Sequence, residues 1–228
     1  MGYWRKLGAL VEKDLAVEFK TKEMLSSMFI FSFLVIVIFA FAFTPSRATT
    51  SEVFPGILWI GITFAGVLGL NRSFAGEKDN DCLLGLMLTP VDRTVIYLAK
   101  AASNFLFLVA VQAVSLPLFF ILFDYRLAGP LWLLLAVILL GTVGFIVTGT
   151  FLAALAANTR ASEILLPLIL FPVIMPVVIG AVKCTAIVLA GVPPELKGEL
   201  VRWVKLLGIY NIIFLTVSLM LFDYVLEV

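Results

Sequence analysis

No histidine occurs among the 228 residues. Its absence removes the commonest protein ligand of zinc and haem iron and the usual general base at neutral pH. No Gly-Lys dipeptide occurs either, so a P-loop, which needs that pair followed by Ser or Thr, is excluded. Neither a metal-ligand cluster nor a nucleophile beside a plausible base can be found. Cysteine is scarce: Cys82 and Cys184 fall on opposite membrane sides in the topology below, and no intrachain disulfide is expected. Charge is scarce as well, at 14% of residues against about 25% in a soluble domain. The net charge of +1 carries no basic cluster of the kind that binds nucleic acid. A chain with these gaps is expected to bind no metal or cofactor and not to be an enzyme by itself.

What the chain has is apolar surface. Hydrophobic residues make up 62%, and the mean hydropathy is +1.14. Six stretches are long enough to cross about 30 Å of hydrocarbon. They are residues 24–43, 54–70, 94–123, 130–157, 164–182 and 204–222, so the expected fold is an all-α, polytopic membrane protein. Alternating spans place ten basic residues on the N-terminal side, Arg5 to Lys22, Arg72, Lys78, Arg93, Lys100 and Arg160. Six lie opposite: Arg47, Arg126, Lys183, Lys197, Arg202 and Lys205. That bias favours both termini in the cytoplasm. Four of the six fall in 183–205, where an interfacial or re-entrant course would strengthen the assignment.

Before the first span, Trp4, Leu7, Val11, Leu15 and Phe19 recur at helical spacing opposite Arg5, Lys6, Glu12, Lys13 and Glu18. Residues 3–22 therefore read as an amphipathic elbow helix, lying in the interface or packed on the protein. Between spans two and three, the acidic stretch Glu77, Asp79 and Asp81 precedes Leu83, Leu84, Leu86 and Met87, and Pro90 ends the run. This is helix-start chemistry followed by an apolar face that needs a partner or the bilayer. A short cytoplasmic helix is expected over 76–90.

Within the spans, Gly61, Ala65 and Gly69, and likewise Gly149, Ala153 and Ala157, permit close helix approach. Pro167, Pro172 and Pro176 make span five irregular, either as structural kinks or because it lines an internal path. Lys100 is close enough to the cytoplasmic end of span three to snorkel, and Asn104, Gln112 and Ser115 continue inward from it. Those three form either a polar seam or interhelical hydrogen bonds. The near absence of intramembrane acids argues against a secondary transporter.

These pieces together resemble one family, the heme exporter protein B (CcmB) family of bacterial cytochrome c maturation. The most specific parts are Phe54-Pro55-Gly56-Ile57-Leu58-Trp59, the run from Glu77 to Leu88-Thr89-Pro90, Ala99-Lys100, and the Leu166-Pro167 and Phe171-Pro172 steps. The resemblance covers nearly the whole chain. It implies an ABC-2-type, type V exporter-like permease of the bacterial inner membrane, present as two copies or beside a related subunit. ATP and Mg would be bound by a separate subunit, CcmA, with CcmC, CcmD and the haem chaperone CcmE as further partners and haem as a handled ligand. Residues 76–90 would then be the coupling helix inserted into the ATPase. Phe54, Pro55, Gly56 and Trp59, at the outer end of span two, would be either interfacial anchors or an outer-face contact for haem or chaperone, and on the residue reading Lys100, Asn104 and the span-five prolines are the candidates for a path. An exporter of lipid or polysaccharide, or a non-transporting scaffold of a haem-delivery complex, are the alternatives.

Overall fold

The computed structural model describes residues 2–42, 47–79, 92–125, 127–157, 159 and 162–225, with the side chains of 47–52, 75–79, 223 and 225 excepted. The described residues form helices joined by short turns. An elbow helix α1 (Tyr3–Thr21) is followed by α2 (Glu23–Ala42), α3 (Arg47–Asp79), α4 (Arg93–Leu122), α5 (Leu131–Ala157), α6 (Ser162–Leu189) and α7 (Lys197–Val225). A single 3-10 turn, Pro194–Leu196, leads into α7. Six helices are long and apolar enough to span a membrane. The last four run 27 to 30 residues. At about 1.5 Å per residue they match the roughly 40–45 Å of a bilayer with its headgroups. Alternation puts residues 2 and 225 on one side, called the near side below.

Boundaries around spans two, five and six differ from the sequence reading, the second span being part of a helix from Arg47 to Asp79. Helix α6 runs on through Lys183 and Cys184 to Leu189, and α7 begins at Lys197, so most of 183–205 belongs to these two helices. The segment 183–205 is thus the tip of an antiparallel hairpin closed by Gly191 and Val192, both at positive φ. It is not re-entrant.

The centre of the bundle is α5, which packs on α3, α4, α6 and α7. Between bilayer-embedded helices, tail-like side chains gain little by leaving lipid, so close approach of small residues has to hold the contact. The α3–α5 seam alternates sizes for this purpose. Trp59 lies over Gly141, Phe145 over Gly66, and Leu70 over Gly149. On the other flank of α3, Gly69 receives Met28 of α2, whose sulfur lies 2.8 Å from where a Cβ would sit. Of the small residues singled out in sequence, Gly69 and Gly149 serve such contacts, while Gly61 has room for a Cβ; Gly66 and Gly141 are not among those singled out. Replacing Gly66 by alanine drives a methyl into the Phe145 ring. The expected cost is about 1–3 kcal/mol by thermal unfolding in detergent, partly recovered by Phe145→Leu. No cost would mean the seam is looser than this packing.

Buried polar side chains rivet neighbouring helices. Gln112 donates to Thr142 Oγ1 at 2.7 Å, Ser32 and Ser115 share a hydrogen bond of 2.8 Å, and the Tyr97 hydroxyl donates to the Val147 carbonyl at 2.9 Å. Each satisfies groups that lipid cannot. Of the two readings open in sequence, Gln112 and Ser115 follow the interhelical hydrogen bond.

The prolines of α6 do not line an interior. Leu166, Leu170, Ile174, Val177, Ala181 and Cys184 form the buried stripe, which leaves Pro172 and Pro176 exposed on the opposite face and Pro167 half-buried. Spacing decides this, because the prolines fall out of phase with the buried three-and-four repeat. The turn that Pro176 leaves one donor short is supported from α7, where the Tyr210 hydroxyl donates to the Val173 carbonyl at 3.0 Å.

Candidate functional site

On the near side, α1 turns Leu10, Asp14 and Glu18, at helical spacing of four, towards the bundle together with Leu15. The sequence reading puts Glu18 on the outward polar face, and the structure reverses it. Burial is tolerable because the carboxylate has a partner: Glu18 Oε1 accepts the Leu25 amide at 2.7 Å. That amide belongs to the first turn of α2, where orphan N–H groups and the helix dipole favour an anion. The corner itself is set by Lys22, at φ 57, whose amide donates to the Glu18 carbonyl at 2.7 Å. Elbow and first span are thereby joined at a fixed angle. Trp4 and Phe19, at the ends of the expected apolar stripe, remain 79% and 66% exposed.

Asp14, one turn before Glu18, reaches Lys100 of α4, with Nζ to Oδ2 at 3.1 Å. Lys100 is only 6% exposed. Its ammonium also donates to the Ser73 carbonyl of α3 at 3.4 Å and stands 5.9 Å from the Phe74 ring centroid. Lys13 approaches Asp14 from the solvent side at 3.2 Å. Lys100 therefore snorkels onto protein partners and not into water. Sequence reasoning misses Asp14, Ser73 and Phe74. The available signal is two acids, four apart, on the same helix face as Leu7, Leu10 and Val11.

One turn deeper, Asn104 donates to Thr150 Oγ1 at 3.3 Å. It borders a tight space with Met24, Met28, Gly66 and Gly69. Beside it, a cavity of about 20 Å³ between Asn71, Phe74, Ala156, Ser162 and Leu166 has room for one water. The structure brings Lys100 and Asn104 together on α4. It does not bring them to Pro172 and Pro176, which face outward on α6, so these residues form no common path in this conformation.

Helix α3 continues unbroken from the membrane to Asp79. Glu77 and Asp79 thus occupy the last turn of α3, beyond the span itself, and no separate helix starts at 76, since the helix runs on through Gly76. Asp81, Leu83, Leu84, Leu86, Met87 and Pro90, with Cys82, lie outside the described residues.

On the far side, three of the four residues expected to meet haem or a chaperone, Phe54, Pro55 and Trp59, are buried. Phe54 sits among Phe119, Phe120, Phe123 and Tyr125, with ring centroids 4.8 to 5.7 Å away, stacked on Tyr125. Burial pushes the Tyr125 phenol above its ordinary 10.0, so this stack stays neutral at physiological pH. Trp59 donates its Nε1 proton to Thr185 Oγ1 at 3.0 Å, and Pro55 is buried with it. Of the four, Gly56 is half-buried and has open space where a Cβ would stand. Packing against α4 and α6, not display at the surface, accounts for these aromatics.

Among the described residues, no three His, Cys, Asp or Glu side chains gather as metal ligands. The architecture defines a class: a multi-pass, all-α membrane protein of six spans, with an elbow helix pinned to its near side. The family described as CcmB protein matches residues 5–226, and the chain belongs to that family. It is 29% identical over 171 residues to heme exporter protein B of Rhodobacter capsulatus, covering 75% of this chain and 78% of that one. It is 29% identical over 187 residues to heme exporter protein B of Paracoccus denitrificans (82% and 85% covered), and 26% over 187 residues to that of Pseudomonas aeruginosa (81% and 82%).

Proposed function

We propose that the chain is the membrane permease of an ABC-type complex of cytochrome c maturation, coupling ATP hydrolysis by a CcmA-type subunit to haem delivery or to release of haem-loaded CcmE-type chaperone. The family match over residues 5–226 carries this reading, and the relatives' name, heme exporter protein B, supplies the ligand. ATP and Mg belong to the partner, while this chain contributes shape and movement. CcmC- and CcmD-type subunits are the remaining partners. The complex sits in the bacterial inner membrane with both termini cytoplasmic, as the ten-to-six bias of basic residues favours.

Segment 76–90 is the docking element for the ATPase, and it continues directly from α3. A second copy is supported by the outer face of α6. There Pro172 and Pro176 leave the Leu168 and Pro172 carbonyls without helical donors at membrane depth, and irregular backbone needs protein or water beside it.

Replacing Leu83 and Leu84 together by Asp is expected to abolish co-purification of the ATP-binding subunit while the chain still inserts. Cells carrying this variant should lose covalent haem from all c-type cytochromes. Unchanged co-purification removes the docking role from this segment. Normal cytochromes with altered lipid or capsule would turn the reading to a lipid or polysaccharide exporter.

A further inference from the structure

A buried ion pair is a poor device for stability alone, because desolvation offsets its Coulomb gain and apolar side chains of similar volume would hold the same helices as well. The Asp14–Lys100 pair has a different property, which is connectivity. One ammonium meets α1 through Asp14 and α3 through Ser73 and Phe74, while its own backbone belongs to α4. Ser73 and Phe74 precede the end of α3 at Asp79, the point from which the docking segment departs. Helix α1 is fixed in turn to α2 by Glu18. A displacement entering through the end of α3 reaches α2 and α4 by direct packing, and it reaches α1 through this one side chain.

The joint is also built to open. Asp14 is shared between buried Lys100 and the partly exposed Lys13, whose ammonium lies 3.2 Å away. When Lys100 shifts with α3, Asp14 keeps a cation and is not left as an isolated buried charge, the most costly outcome of breaking such a pair. Ion pairs with an alternative partner suit two-state elements, where small shifts exchange one set of contacts for another.

We infer that Asp14 and Lys100 are positioning residues that carry movement of the ATPase-docking segment into the elbow. This rests on the functional reading above and adds the route of coupling to it.

The test uses the chain reconstituted with its ATP-binding and haem-handling subunits, comparing wild type with Lys100→Met, Asp14→Asn and the double variant. Co-purification should persist in all, with KM for ATP within about twofold of wild type. Haem-loaded chaperone released per ATP hydrolysed should fall about tenfold in Lys100→Met. The double variant leaves neither charge buried alone, so its unfolding temperature should return to that of wild type while release per ATP stays low. Release that recovers together with stability would make the pair merely structural and overturn the inference, as would an unchanged ratio in Lys100→Met. Should Asp14→Asn fail to fold, the other two variants decide. A wild-type chain that neither engages the ATP-binding subunit nor supports release overturns the functional reading, and the joint with it.

Discussion

Phe54→Ala is expected to destabilise the protein by about 3–5 kcal/mol, the usual cost of truncating a buried aromatic. Phe54 is 1% exposed, and four rings from α4 and the turn after it close around it. Its removal opens a cavity that these rings cannot all collapse into, because Phe119 and Phe123 are stacked on each other at 5.7 Å. Ring–ring geometry adds about 0.5–1.5 kcal/mol per pair beyond burial. In a bilayer this cost is mostly lost packing, since the exposed alternative is lipid and not water. Phe54→Leu should keep much of the volume and lose far less. Thermal unfolding in detergent, followed by size-exclusion chromatography, measures both. The outcome also bears on the far-side contact implied by the family resemblance. A Phe54→Ala protein that keeps wild-type stability yet loses haem or chaperone delivery would place this residue in a binding surface, against its burial here.

Gly129→Ala should cost about 3 kcal/mol or more, above the ordinary range for an added methyl. The reason is the identity of the neighbour. A Cβ at Gly129 would land on the Val188 carbonyl oxygen, a backbone atom in the last turn of α6. Side chains such as Phe145 can rotate or tilt by some tenths of an ångström; this carbonyl is held by the Gly191 amide at 3.1 Å. Yielding would shift the α4–α5 turn away from the α6–α7 hairpin, and the contact between Ala128 and Gly191 would be lost with it. Alanine at 56, where the space is open, is the matched control and should be neutral. An unaltered unfolding temperature for Gly129→Ala would show that the two far-side turns are not in contact in the membrane.

Most of the architecture was legible in the chain because a bilayer imposes one strict rule. Backbone groups in hydrocarbon must be satisfied within their own segment, so a run of about 20 apolar residues has hardly any choice but helix. Periodicity failed where two answers share it. Glu18 and Asp14 lie on the face that the elbow buries, and a hydropathy stripe scores such acids as errors or as outward residues. Only the positions of Leu25 and Lys100 in space make them partners. The prolines of α6 mark irregularity equally well whether they face a path or the outside. Which it is depends on the phase of Leu166, Leu170 and Ile174 against α3 and α5, a relation between helices.

The same division holds for function. By itself the sequence determined membrane class, span number and the lack of histidine and of a P-loop, for these follow from residue types and run lengths, which no folding alters. The tertiary structure decided that Phe54 and Trp59 are core, that Pro172 and Pro176 face outward, and that Lys100 is the meeting point of three helices. Those statements concern pairs far apart in the chain, such as Asp14 with Lys100 or Trp59 with Thr185, and only the packing of one helix on another brings them within a hydrogen bond's length.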